Sequence, residues 1–217
     1  MYEVTWFRLF DLYIGVSIYS ATAVLTAFMV GLALGSRYIG KKADKLNNPL
    51  RVYGWLQIGI GLYCYILPYF ARWICNLQAP LYEYMLTSRL LTTFVRFLIV
   101  LIVLLPATVA MGGTLPLLAR FCSATSKRIG AHISLLYSVN TGGAALGAYI
   151  AGFHLIEALG VSTTALCASL LNLIVGLTAL LLNKPVEFLA EREAEQGRTG
   201  VLSHSLVKLL LITTALC

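Results

Sequence analysis

Charge is scarce in this chain: of 217 residues only 12% are Asp, Glu, Lys or Arg, against roughly a quarter in a soluble domain, while 59% are hydrophobic. That balance excludes a water-exposed globular fold. Acid is scarcer than base, with nine Asp and Glu against sixteen Lys and Arg, for a net charge of +7. The basic surplus gathers at the ends of apolar stretches, the places where Lys and Arg anchor a chain to the cytoplasmic face of a membrane. No nucleic-acid partner is expected from it. The five cysteines form no CxxC pair and have no histidine at ligand spacing. Cys64, Cys167 and Cys217 lie inside apolar runs, Cys75 and Cys122 near run ends, and all read as small core hydrophobes, not metal ligands. The opening residues carry acids and aromatics in place of a basic leader and small-residue cleavage site, so insertion is expected to be directed by the spans themselves. No nucleophile, metal cluster or nucleotide cradle is visible. No catalytic residue and no cofactor is therefore assigned.

What the chain does have is long apolar runs. Leu12 to Ser36, Val52 to Ala71, Phe97 to Ala119, Ile129 to Ile156 and Val161 to Asn183 each approach the roughly 20 residues that cross about 30 Å of hydrocarbon. A sixth begins at Val207 and reaches Cys217, and the opening run from Met1 to Tyr13 is interrupted by Glu3, Arg8 and Asp11. The pattern predicts an all-α, polytopic membrane helix bundle: a partial first helix, five full spans and the start of another. Residues 1–183 form the half-bundle, 184–206 a cytoplasmic linker and 207–217 the opening of a further span. The basic connections hold Arg37, Lys41, Lys42, Lys45 and Arg51, then Arg120, Lys127 and Arg128, then Lys184, Arg192 and Arg198. The positive-inside rule puts these three on the cytoplasmic side of a plasma or inner membrane. Between Arg72 and Arg96 the sequence mixes arginines with Trp73, Tyr82 and Tyr84, which predicts an amphipathic helix lying at the outer surface before the third span. Glu187 to Arg198 alternates in sign and reads as a solvated linker.

Small residues recur at the spacing that lets helices approach closely: Gly31 and Gly35, then Gly143, Gly147 and Ala151. Helix packing is their first reading, and a sliding surface between helices the functional one. Pro106, Gly112, Gly113 and Pro116 are placed to interrupt the third span. Ionisable groups at membrane depth are functional candidates, which singles out Glu3 and Arg8. The stretch Gly40-Lys41-Lys42-Ala43-Asp44-Lys45 opens with a glycine suited to ending a helix and has the form of a charged latch, although an ordinary basic loop fits equally. Asn140 offers a hydrogen bond between helices, which packing alone also explains. His132 and His154 stand near opposite ends of one span and read as interfacial histidines.

The latch with the preceding Gly31-Leu-Ala-Leu-Gly35 resembles the signature between the second and third helices of the major facilitator superfamily. Three further segments are similar to the membrane portion of the fused facilitator-like and spermidine-synthase-like proteins: Tyr2 to Leu9, Met111 to Arg120, and Tyr137 to Gly147 around Asn140. The resemblance implies one major-facilitator-like six-helix half with a clipped first helix, transporting or handling polyamines or related cationic metabolites. Glu3, Arg8 and Asn140 become cavity candidates and Gly40, Asp44 and Lys45 gate candidates. The implied partners are the lipid bilayer, a second helical half, a further copy or a larger membrane complex, and a soluble aminopropyltransferase-like protein. That family's catalytic domain is absent, since no Gly-rich strand-to-helix turn with an acidic ribose ligand occurs. The alternative is a non-transporting anchor that docks a soluble enzyme or complex.

Overall fold

A computed structural model describes residues 1–14, 18–43, 45–78, 89–124 and 129–182, and all of its regular structure is helical. Among the described residues six helices follow one another: α1 (Tyr2–Ile14), α2 (Ile18–Ala43), α3 (Pro49–Gln78), α4 (Arg89–Ala124), α5 and α6 (Val161–Leu181). The fifth runs as α-helix over Ile129–Ile150, widens into a π turn at Ala151–Leu155, and closes with Ile156–Leu159. The expected linker and the opening of a last span, 184–217, lie outside the described residues.

Among the described residues four helical stretches are long and apolar enough to cross a membrane: Ile18–Ala43, Thr92–Cys122, Ile133–Leu159 and Val161–Leu181. The chain is thus a multi-pass membrane protein by length and composition. The expected span at Val52 to Ala71 lies within α3, whose 30 residues are ample in length. Gln57 and Tyr53, Tyr63, Tyr65 and Tyr69 make it too polar to stand with the other four. Of the expected outer amphipathic segment, 79–88 lie outside the described residues; Arg72 belongs to α3, and Arg89 and Arg96 belong to the first turns of α4, a helix of 36 residues. Pro106 and Pro116 do not break it, and the irregular turn sits in α5 instead.

Close backbone approach organises the packing. Gly31 lies against Thr108 and Gly35 against the carbonyl of Val109 and Cα of Gly112, while Gly112 and Gly113 lie against Leu32 and Ile39. A Cβ on any of the four glycines would overlap its neighbour, so small residues are what let α2 and α4 touch along their backbones. The paired residue numbers rise together, so these two helices run parallel. On the other side, Gly54 meets Gly176 and Gly61 meets Ser169. There the numbers run oppositely, and α3 and α6 are antiparallel. Helix α1 packs Trp6 on Phe28 of α2, ring centroids 5.3 Å apart, and Ser20 Oγ donates to Asp11 at 3.2 Å. Directions therefore alternate down the chain, and the basic Arg37, Lys41, Lys42, Lys45 and Arg51 share one end of the bundle.

The helix ends follow local chemistry. Helix α2 carries Lys41 and Lys42 in its last turn, where cations complement the partial negative charge of the carbonyl end. It runs through Gly40 to Ala43, so that glycine packs and does not terminate. The true stop is Gly160 between α5 and α6, at φ 81°, a left-handed backbone that other residues adopt at a cost.

Gly35→Val and Gly112→Val are each expected to lower stability by about 1–3 kcal/mol, the usual cost of overfilling a tight contact. Gly59 and Gly142 face open space. Gly59→Ala and Gly142→Ala should be neutral or stabilise by up to about 1 kcal/mol. Thermal unfolding of the four variants in detergent, followed by circular dichroism, checks both halves of this expectation.

Candidate functional site

The buried apolar side chains fall into two clusters. One gathers Tyr2, Trp6 and Phe10 of α1, Ala27 and Phe28 of α2, Ile60 to Ala71 of α3, Val100 to Ala107 of α4 and Ala168 of α6. The other gathers Ala43, Leu50 and Tyr53, Leu117 to Cys122, Leu136, and Val175 and Ala179. On three helices the interval between the clusters contains buried polar residues: Gln57 on α3, Thr108 and Thr114 on α4, Ser169 and Asn172 on α6. A polar layer therefore crosses the bundle at mid-depth.

Its members are mostly satisfied within the protein, as apolar surroundings require. Gln57 Nε2 donates to Tyr53 Oη at 2.8 Å, and the Ser169 hydroxyl donates to the carbonyl of Gly61 across the α3–α6 contact. Thr108 Oγ1 lies 3.0 Å from the carbonyl of Leu104 on its own helix and 3.3 Å from that of Ala27 on α2. Asn172 Nδ2 donates to Tyr2 Oη at 3.1 Å, which ties α6 to α1. Among the described residues three buried side-chain atoms remain without a partner: Asn48 Oδ1 just before α3, and, nearer the layer, Asn172 Oδ1, an acceptor, and Trp6 Nε1, a donor. The latter two residues are essentially inaccessible, Trp6 at 0% and Asn172 at 1% exposure. Both also contact Tyr2, Asn172 through its hydrogen bond and Trp6 with ring centroids 5.4 Å apart. Tyr2 thus joins two residues that each keep one unmet hydrogen-bonding atom in a dry interior.

The residues singled out from sequence are dispersed around this layer. Glu3 and Arg8 are exposed and flank the buried stripe Tyr2, Thr5, Trp6, Leu9 and Phe10 of α1 on opposite sides. Glu3 is adjacent in sequence to Tyr2 and so stands at the level of the layer. Asn140 is half-buried on α5 and has no hydrogen bond with the described residues. Gly40 rests 3.5 Å, by an ideal Cβ, from Pro116. Lys45 is exposed in the turn that follows α2, its backbone N–H bonded to the Lys42 carbonyl at 3.1 Å. Asp44 lies outside the described residues. Gln57, Thr108, Thr114, Ser169 and Asn172 are the polar-layer members that sequence reasoning missed. For Gln57 and Asn172 the available signal was a single amide in the middle of an apolar helix. Among the described residues no three His, Cys, Asp or Glu side chains gather as metal ligands.

A double-mutant cycle with Tyr2→Phe and Asn172→Leu is expected to return a coupling of about 0.6 kcal/mol and no more than about 2, the range for hydrogen bonds between membrane helices. Trp6→Phe removes the open N–H together with part of a fully buried ring, and is expected to lower stability by about 1–3 kcal/mol through the space it leaves. Both are read from unfolding in mixed micelles. Comparison with known proteins returned no matching family model, no matching curated protein and no matching solved structure.

Proposed function

We propose that this chain is the helical half of a facilitator-like membrane protein related to the fused spermidine-synthase-like proteins, and that it binds and passes polyamines or similar cationic metabolites. The observation that carries this reading is the polar layer at mid-depth between two apolar cores, with an open acceptor on Asn172 and an open donor on Trp6 of the first core. Solute sites of secondary transporters lie at that level, where neither membrane face sees them directly. Helix order supports the same reading. Helices α1 to α3 and α4 to α6 form two triplets of opposite direction, and facilitator halves are built as inverted three-helix repeats.

Charge supports the cationic class. Of the carboxylates among the described residues, Glu3 stands in the first turn of α1, next to Tyr2 at the level of the polar layer, whereas Asp11 and Glu157 stand toward the end of the bundle away from the basic residues. A carboxylate at the level of the layer supplies the counter-charge an ammonium needs away from water. Gly40 and Lys45, with Asp44, then belong to the opposite, basic end as a gate. The positive-inside rule makes that end cytoplasmic in a plasma or inner membrane.

The test uses the full-length protein in liposomes with labelled spermidine. Glu3→Gln and Asn172→Leu should each weaken binding or uptake about tenfold, the equivalent of one lost charge-assisted or buried contact near 1.4 kcal/mol. Unchanged binding and flux in both variants sinks the assignment. A stoichiometric soluble partner recovered in gentle detergent, with no spermidine-dependent stabilisation, instead favours the membrane-anchor reading.

A further inference from the structure

The geometry points to a phospholipid site: the cleft where α3 and α6 meet, away from the polar layer, binds the phosphodiester headgroup of a membrane lipid. The cleft encloses about 110 Å³ and is lined by Tyr65, Pro68, Tyr69 and Arg72 of α3 and by Ser162 and Leu166 of α6, among others. Tyr65, Tyr69 and Arg72 follow one another at i, i+4 and i+7, so a single face of α3 presents two phenols and a guanidinium to the same space. Arginine carries a planar fork of donors and no acceptor, which suits a phosphate oxygen pair better than it suits water or a carbonyl. No described residue forms an ion pair or hydrogen bond with Arg72. Glu157, the acid nearest α6 in sequence, is not among the residues that line the cleft.

Three observations define the ligand further. The phenols and the Ser162 hydroxyl add donors beside the cation. Helix α6 begins here on Gly160, which has no side chain to cap the first N–H groups, so the positive end of the helix faces the same region. The exposed aromatics around the cleft mark its depth. Tyr69, Phe70 and Trp73 project from the last turns of α3, with Phe70 and Trp73 stacked at 5.9 Å. Aromatic side chains of this kind sit at headgroup level, where one end of the ring is apolar and the other wet. A phosphate at that level is a lipid phosphate, and Pro68 and Leu166 supply an apolar wall for the glycerol and upper acyl chain. The cleft holds the volume of several waters, enough for the phosphate group with the chains lying outside. The site stands independently of what the polar layer handles.

The test measures the thermal midpoint of the full-length protein in detergent after adding phosphatidylglycerol, diacylglycerol of the same chains, or inorganic phosphate at equal molarity. Phosphatidylglycerol is expected to raise the wild-type midpoint by a few degrees, diacylglycerol to leave it unchanged and inorganic phosphate to give a smaller rise. Arg72→Gln should abolish the lipid response and Arg72→Lys keep part of it. Leu166→Trp, which fills the cleft and retains the arginine, provides the same reading if Arg72→Gln does not fold. A diacylglycerol response equal to that of phosphatidylglycerol overturns the proposal, as does a full lipid response in either Arg72→Gln or Leu166→Trp. An inorganic phosphate response that matches the lipid assigns the cleft to dissolved anions and overturns the lipid site.

Discussion

The contact between the backbones of α2 and α4 sets the geometry on which the other helices depend. Gly31 and Gly35 on one side and Thr108, Gly112 and Gly113 on the other leave no room for larger side chains. In a membrane, where lipid tails compete as well as leucine for apolar surface, close fit and hydrogen bonding must supply the association that water supplies elsewhere. Thr108 adds a cross-helix contact at the point of nearest approach. Once this parallel pair is formed, α3 has a fixed groove on α4, marked by Tyr63 Oη donating to the Val103 carbonyl at 2.7 Å. Helix α6 then closes on α3 through a second line of small residues.

The two lines of small residues do different work. The α2–α4 contact is almost entirely backbone and methyl, and its polar element is a threonine satisfied by carbonyls. The α3–α6 contact combines Gly54 and Gly176 with the Ser169 hydrogen bond, and it leads into Asn172 and Tyr2. A rigid apolar seam on one side and a polar seam on the other give the interior its asymmetry. Glu3 and the open Trp6 N–H both belong to α1, which borders the polar seam.

Much of this architecture was legible from residue order because long apolar runs and glycine spacing act locally. The runs that contain α2, α4, α5 and α6 and the Gly31–Gly35 packing pair follow directly from them. What escaped depends on the register between helices. Asn140 and Asn172 are both single amides in apolar helices, and only the rotation of α5 and α6 about their axes decides that Asn172 is buried against Tyr2 while Asn140 is half-exposed. Gly40 has the composition of a helix stop, yet Pro116 packs beside it and the helix continues for another turn. Arg89 and Arg96 stand one helical face apart, which fits a surface helix and the first turns of a long membrane rod alike. Tyrosines and Gln57 hold α3 below the apolarity of the other four spans, and of these Tyr53, Gln57 and Tyr63 form hydrogen bonds inside the bundle while Tyr65 and Tyr69 are exposed.

The π turn of α5 changes which residues of that helix share a face. One extra residue in the turn rotates everything beyond it by about 100° relative to a regular helix. Gly143, Gly147 and Ala151 form a buried line up to the turn, and past it the closing residues Glu157, Ala158 and Leu159 are all exposed. The insertion sets the azimuth of the last turn and the Gly160 junction separately from that of the small-residue line.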